Sequence, residues 1–339
     1  MPFDRLTRPR NTTDNPQTEP RTLAEGVLAV LAGLPLEQAA AEIRITPVDL
    51  SEAIAAYQAA GKAALDTQAA DCDWYQVHVQ FPDWNSAEHA ATTGLAQQMN
   101  RLRESGAIVG WWFIRKHPCW RLRLRAAPAI VPAGLRTAVD AVLDDLTAAG
   151  TISRWWRTRY EPETAAFGGA IGMGIAHDHF CADSGGVLDF LARAEPLVGR
   201  RELSVLLCNA MFRAARLDGF ECGDVWHRVA QLRPLPGDVP TDRLKELTDR
   251  LRTLLMADVR PTGALFGAIG PLAFAADWAS AFERAGHALG QAAGDGRLER
   301  GVRAVLTHLV IFHWNRLGLS ATTQAILSRA AREVLLPGS

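Results

Sequence analysis

The order of strand and helix patterns between residues 73 and 161 constrains the fold of this chain more than any other feature of its sequence. Two helices are predicted, over residues 86–106 and 133–150. Strands are predicted where aromatic and β-branched residues alternate with polar ones: WYQVHVQF (74–81), GWWFIRK (110–116), CWRLRLR (119–125) and ISRWWRTRY (152–160). The alternation is less regular in GWWFIRK than in the other three segments. The order β-α-β-β-α-β is typical of a ferredoxin-like split βαβ sandwich with four antiparallel strands. We expect both helices on one face of the sheet, which leaves the other face for a ligand or another domain.

The rest of the chain is predicted to be helical. Helix patterns follow the glycine-rich segment FGGAIGMG and continue from about residue 175 to residue 336. Asp183-Ser184 and Thr241-Asp242 are interpreted as helix starts, because Ser, Thr and Asp commonly cap helix N-termini. The fold class predicted for residues 66–339 is therefore α+β, with a ferredoxin-like antiparallel sheet (73–161) and a large C-terminal all-α layer (175–336).

The N-terminal region has a different texture. Residues 1–20 are polar and proline-rich, which predicts a disordered tail. Residues 21–65 are alanine-rich and predict two or three short helices that resemble a helix-turn-helix. The second of these helices carries Asp49 and Glu52 rather than a basic outer face. We therefore interpret this extension as a packing unit or a platform for a partner peptide, and not as a DNA-binding element.

Composition excludes several classes of protein. Among the 339 residues, 36 Lys and Arg stand against 37 Asp and Glu, so the net charge of -1 gives no sign of a nucleic-acid or membrane partner. The N-terminus lacks the apolar core of a secretory signal, and no segment has the apolar span of a transmembrane helix, so a cytoplasmic location is expected. The five cysteines never occur as CxxC, which favours reduced thiols over disulfides or a zinc site.

The strand CWRLRLR carries the clearest chemical pattern. Its period of two places Arg121, Arg123 and Arg125 on one face, with apolar side chains on the other. Closely spaced guanidinium groups suit an acidic substrate group, because each forms a planar fork that matches a carboxylate. A solvated outer face explains the strand equally well.

Further charged residues follow the last predicted strand. Arg157 and Arg159 share one parity, and Glu161 and Glu163 come directly after them. Such a mixture can position a substrate and move a proton, or it can form a structural ion-pair network, which the residues alone favour slightly.

Neither a nucleotide site nor a metal site is predicted. FGGAIGMG lacks the Lys-Ser/Thr of a phosphate loop and the spacing of a dinucleotide fold, so its glycines are interpreted as a close turn from sheet into helix. His177 and His179, two residues apart on a predicted helix, point to nearly opposite faces. We therefore expect no metal and no cofactor.

Near the C-terminus, the apolar helix VLTHLVIFHWNRLGLS contains His308, His313, Asn315 and Arg316. Polar groups in such a helix need partners or a cleft. Histidine suits proton transfer, and the neighbouring Asn and Arg can orient a carbonyl or a carboxylate. A functional role and a satisfied buried role are weighted evenly.

Three segments in this order, HPCWRLRLR (117–125), YEPETAAFGGAIGMGIAHDHFCADS (160–184) and IFHWNRLGLS (311–320), resemble the lantibiotic dehydratase C-terminal family, also called thiopeptide-type bacteriocin biosynthesis proteins. The resemblance covers about residues 70–336. It implies a stand-alone enzyme of a split dehydratase that acts on a ribosomally made precursor peptide. A separate partner protein would glutamylate Ser and Thr using glutamyl-tRNA, and this chain would eliminate glutamate to leave dehydroalanine or dehydrobutyrine.

The resemblance also implies roles for particular residues. Arg121 and Arg123 would bind the glutamyl carboxylate, Glu163 would transfer a proton or orient an arginine, and His313 would act as general acid or base. The remaining candidates for substrate binding are Arg125, Arg157, Arg159, Asn315 and Arg316. Ala166 departs from the family pattern, in which an Arg stands at this place, unless Arg157 or Arg159 substitutes for it.

Two other functions remain open. The other branch of the family joins two dehydroalanines by a formal [4+2] cycloaddition to make a pyridine, and is expected to use a Tyr from its C-terminal half. The three tyrosines here, Tyr57, Tyr75 and Tyr160, all precede that region, so elimination is preferred. A non-catalytic scaffold that binds the precursor peptide is the second alternative. The sequence does not decide between a monomer and a homodimer.

Overall fold

The computed structural model describes residues 22–72, 74–194, 197–237 and 241–337. The chain divides into two compact units, Met1–Gln68 and Ala69–Ser339. The predicted disordered tail, residues 1–20, lies outside the described residues. No helix in the described part of the chain is both long enough and apolar enough to cross a membrane.

The described part of the first unit is helical. It contains α1 (Leu23–Leu31), α2 (Leu36–Ile43) and the beginning of α3 (Pro47–Cys72). Thr22 caps α1, and a small apolar core forms around Val27, Ala39, Ala40 and Leu50. The third helix continues past residue 65, the predicted end of the helical extension.

The second unit contains one four-stranded antiparallel sheet, which confirms the predicted α+β class. The strand order is β2-β3-β1-β4. A four-residue helix, a π-helical turn and a longer helix link β1 to β2, and one helix links β3 to β4. The bounds are β1 (Trp74–Gln80), α4 (Ala87–Ala90), the π-helical turn (Ala91–Leu95), α5 (Ala96–Glu104), β2 (Ile108–Lys116), β3 (Cys119–Ala126), α6 (Pro132–Ala148) and β4 (Arg154–Thr158).

Within the described residues, seven α-helices follow the sheet: α7 (Gly169–Leu191), α8 (Arg200–Ala214), α9 (Gly219–Leu232), α10 (Thr241–Met256), α11 (Ala276–Gly294), α12 (Val302–Leu317) and α13 (Ala321–Leu335). The first of them begins at Gly169 rather than near residue 175, because the turn is completed by Gly168 and Gly169, both with positive φ. The interpretation of Asp183-Ser184 as a helix start was wrong. Both residues are buried within α7, where their side chains bind other elements instead of capping a helix end.

The two faces of the sheet meet different helices. Tyr75 and Arg157 both hydrogen-bond to Asp140 of α6, so α6 covers the face opposite the arginine row of β3. The arginine face is covered by α7, where Asp178 lies 3.7 Å from Arg125. The face that we expected to remain available is therefore largely closed by the helical layer.

The glycine-rich turn gives a stability prediction. A Cβ atom on Gly172 would lie 1.8 Å from the carbonyl oxygen of Phe167, whereas Gly174, in the same helix, has nothing within 4 Å. We expect Gly172→Ala to lower the free energy of unfolding by about 2 kcal/mol, because the backbone must move. Gly174→Ala should raise it by about 0.5–1 kcal/mol through better helix propensity. Equal effects in urea unfolding would contradict this account of the turn.

Candidate active site

The arginine row of β3 lies against α7. Arg123 is 6% exposed, and Arg121 and Arg125 are half-buried. The alternation predicted for this strand is confirmed, since Trp120 stacks on Phe113 on the other face. A fully solvated face is thus excluded for Arg123.

Arg123 lies in a box of aromatic and amide groups. Its Nε donates to Gln76 Oε1 at 2.6 Å, and its Cζ lies 4.2 Å from the ring centroid of Trp112 and 5.2 Å from that of Tyr160. Its Nη1 is buried and has no hydrogen-bond partner among the described residues. Burial lowers the pKa of this guanidinium to about 10, although the nearby groups Tyr160 and Glu163 act in the opposite direction. The result is a buried cation with hydrogen-bonding capacity left over.

A tyrosine and a histidine complete one side of this box. The Tyr160 hydroxyl lies 2.8 Å from His177 Nε2, and the His177 ring packs 4.7 Å from the ring of Trp74. Burial, followed by the charges of Arg125 and Arg123, lowers the pKa of His177 to about 4. The imidazole is therefore neutral at neutral pH, and its hydrogen bond to the phenol involves no net charge.

A buried carboxylate lies deeper, between α7, α11 and α12. Asp183 accepts hydrogen bonds from His313 Nδ1 and Trp278 Nε1, each at 2.9 Å, and also pairs with Arg316. Arg316 in turn donates through Nε to the Phe113 carbonyl oxygen of β2 at 2.9 Å. Burial alone would raise the pKa of Asp183, but the adjacent His313 and Arg316 hold it well below its usual range.

Trp112 joins this network to the arginine row. The guanidinium of Arg316 lies 5.8 Å from the Trp112 ring centroid, and the guanidinium of Arg123 lies 4.2 Å from it. His313 is fully buried, and its Nε2 has no hydrogen-bond partner in the described part of the chain. Arg316 thus lies close to the arginine row, whereas His313 lies deeper in the interior, bound to Asp183.

Other predicted site residues lie elsewhere. The Arg157 side chain is exposed and pairs with Asp140 on the opposite face of the sheet. Arg159 is exposed beyond the end of β4. Asn315 accepts a hydrogen bond from Gln324 Nε2 at 2.9 Å, between α12 and α13. These three residues are not assembled with Arg123.

The structure also shows which arginine lies near Ala166. Arg157 does not substitute for an arginine there, because strand alternation directs its side chain toward α6. An arginine that the sequence analysis did not consider, Arg300, donates to the Ala166 carbonyl oxygen at 3.4 Å. Glu163 is exposed in the turn that precedes Ala166.

An open cleft of about 560 Å3 lies beside the aromatic box. Trp74, whose ring contacts His177, forms part of its wall, and Arg125 and Arg136 supply its positive charge. Most of the remaining wall is apolar and includes Val109, Ile130, Pro132 and Leu135. A substrate can therefore approach the arginine row from this end of the sheet.

Sequence reasoning missed Gln76, Trp112, Tyr160 and Asp183 as site residues. The strand register places Gln76 and Trp112 directly opposite Arg123, so the signal existed only at the level of strand pairing. No group of three or more potential metal ligands occurs within the ranges that the structure describes.

The buried network predicts a large effect of a single isosteric change. Asp183→Asn would leave the Arg316 guanidinium buried without its counter-charge, so we expect the free energy of unfolding to fall by about 3–5 kcal/mol. Asp258→Asn, which breaks the exposed pair with Arg260, should leave the free energy of unfolding close to that of the wild type. Urea unfolding of the two variants checks this, and similar small losses would contradict the account.

The buried histidines predict a pH dependence of stability. Burial lowers the pKa of both His177 and His179 to about 4, while the unfolded chain binds these protons near pH 6.5. Their stabilisation is therefore complete above about pH 6.5 and is lost as the pH falls toward 4. His179→Phe, packed against Phe282, should flatten this slope in thermal unfolding between pH 7 and pH 4. An unchanged slope would contradict the prediction.

Comparison with known proteins places this geometry in a family. Residues 74–335 match the family model described as lantibiotic biosynthesis dehydratase C-term. A comparison with curated proteins finds no match.

Solved structures with similar folds include the following three. The tRNA-dependent lantibiotic dehydratase MibB from Microbispora sp. 107891 is 19% identical, with a TM-score of 0.58 over 77% of this chain and 28% of MibB. TsrL is 16% identical, with a TM-score of 0.52 over 78% of this chain and 99% of TsrL. The pyridine synthase TbtD from thiomuracin biosynthesis is 12% identical, with a TM-score of 0.55 over 77% of this chain and 97% of TbtD.

The chain thus spans little more than a quarter of MibB but nearly all of the other two proteins. At these identities the likeness concerns the fold, whereas the match over residues 74–335 concerns the sequence itself. The chain belongs to the lantibiotic dehydratase C-terminal family.

Proposed function

We propose that this protein eliminates glutamate from glutamylated Ser or Thr residues of a ribosomally made precursor peptide. One observation carries the proposal: Arg123 is a buried guanidinium without an ion-pair partner among the described residues. A buried cation of this kind is costly unless a ligand supplies the negative charge. The carboxylate of a glutamyl ester has the charge and the planar shape that the guanidinium fits.

The reaction needs a proton acceptor and charge stabilisation. The Cα–H and Cβ–O bonds of the substrate residue break, a Cα=Cβ bond forms, and glutamate leaves as a carboxylate. We assign carboxylate binding to Arg123 with Arg121 and Arg125, and proton transfer to Glu163, whose charge already acts on Arg123. Arg316 and His313 stabilise the site through their contacts with Asp183 in the interior.

His313 is the second candidate for proton transfer. Its Nδ1 is bound to Asp183 and its Nε2 has no hydrogen-bond partner among the described residues, so Nε2 is the nitrogen left for proton exchange with a substrate. Because His313 is fully buried, this role requires the site to open.

The setting of the reaction is proposed as well. The precursor peptide and a separate glutamyl-tRNA-dependent protein are the proposed partners, the location is the cytoplasm, and no cofactor takes part. We also propose that the sheet with α5 and α6 forms a ferredoxin-like split βαβ unit, which the strand order β2-β3-β1-β4 supports.

One observation favours formal [4+2] cycloaddition as a second candidate. We preferred elimination partly because the three tyrosines precede the C-terminal half of the chain. Nevertheless, the Tyr160 ring lies 5.2 Å from the Arg123 guanidinium, so its early place in the sequence does not keep it out of the site. A phenol there suits protonation of an amide oxygen in either reaction.

Mass spectrometry tests the proposal. A peptide bearing glutamyl-Ser should lose glutamate in the presence of the wild-type protein, and Arg123→Ala should slow this loss by about a hundredfold or more. Arg297→Ala, which removes an exposed guanidinium paired with Asp295, serves as the control and should retain full activity.

If the wild-type protein leaves this peptide unchanged, elimination is wrong. Conversion of a peptide with two dehydroalanines would then establish cycloaddition. Binding of the precursor without any mass change would favour the scaffold.

A further inference from the structure

Gln76 is the one hydrogen-bond partner of the Arg123 guanidinium within the described ranges, and it is neutral. It stands on β1, where the register places it opposite Arg123 of β3 and also opposite Thr158 of β4. Residue 76 therefore lies between the arginine row and the last strand. Its side chain is 6% exposed, so water does not supply alternative partners.

The orientation of the Gln76 amide is fixed by both of its ends. Its Nε2 donates to Thr158 Oγ1 at 2.7 Å and to the Arg159 carbonyl oxygen at 2.9 Å, while Oε1 accepts from Arg123 Nε at 2.6 Å. A flipped amide would place an NH2 group against the guanidinium and an oxygen against a carbonyl oxygen. The guanidinium is therefore always held by an amide oxygen.

This neutral contact has an electrostatic consequence. Arg316, the other buried arginine near Trp112, is neutralised by Asp183, whereas Arg123 keeps its full charge. A carboxylate at position 76 would occupy the same space as the amide and neutralise Arg123 from within the protein. The choice of Gln over Glu therefore decides whether Arg123 is available to a ligand.

We infer that Gln76 keeps the Arg123 site able to bind a carboxylate, because it positions the guanidinium without neutralising it. This inference rests on the proposed function. It identifies Gln76 as the residue that keeps the positive charge of Arg123 available to the glutamyl group. Gln76 is a positioning residue that acts through Arg123.

The test compares Gln76→Glu with a matched control on the same strand. Gln80 also accepts a hydrogen bond from an arginine, Arg154 Nε at 2.8 Å, but this pair is exposed at the far end of β1. Gln80→Glu therefore makes the same chemical change and the same change in net charge. Gln76→Met removes the hydrogen bond without adding charge.

Two ligands are used with each full-length variant. Sodium glutarate, measured by isothermal titration calorimetry, reports carboxylate binding without chemistry. The glutamyl-Ser peptide reports KM and kcat for glutamate release. We expect Gln76→Glu to weaken glutarate binding and to raise KM, each by at least about tenfold, since the ligand then meets a neutralised arginine. Gln80→Glu should match the wild type, and Gln76→Met should have the smaller effect of the two changes at position 76.

Thermal unfolding separates this role from a purely structural one. In Gln76→Glu the new ion pair with Arg123 offsets the lost hydrogen bond to the Arg159 carbonyl oxygen, so this variant should unfold no more than about a few degrees below the wild type while losing affinity. Glutarate binding by Gln76→Glu equal to that of the wild type would overturn the inference, and so would a larger loss in Gln76→Met. If the wild-type protein binds no glutarate, the inference is also overturned. If it binds glutarate but releases no glutamate from the peptide, elimination alone is wrong.

Discussion

The three-way contact of Asp183 with His313, Arg316 and Trp278 is the interaction on which the rest of the second unit depends. It ties α7 to α11 and α12, which follow much later in the chain, and Arg316 extends it to the backbone of β2. Charged groups in such a dry interior are tolerable only when every partner is present. The position of the helical layer over the sheet, and hence the closure over the arginine row, is therefore set by one carboxylate.

The two buried arginines near Trp112 show how similar groups acquire different roles. Arg316 is neutralised by an aspartate and holds the fold together. Arg123 meets an amide and two aromatic rings, which stabilise a cation without cancelling its charge. A structural arginine and the arginine that we propose binds the substrate thus share one aromatic neighbour. The difference lies in the charge of the partner and not in the degree of burial.

Much of the fold was predictable because it follows from local patterns. Alternation in CWRLRLR predicted the arginine face, and element order predicted the antiparallel sheet. Strand register and helix docking involve residues distant in sequence, so Gln76 and Tyr160 could not be placed beside Arg123. Asp183 illustrates the same limit. We interpreted Asp183 as a helix cap because Asp commonly caps helices and nothing near it in sequence reveals Arg316 as its partner.

The proposed function depends most directly on where a substrate carboxylate binds. The decisive measurement is a crystal structure of the protein with a peptide in which a stable amide replaces the glutamyl ester. We expect a carboxylate within hydrogen-bonding distance of Arg123 Nη1, with Gln76 still bound to Nε. A glutamyl group bound elsewhere, with Arg123 enclosed as it is now, would contradict it.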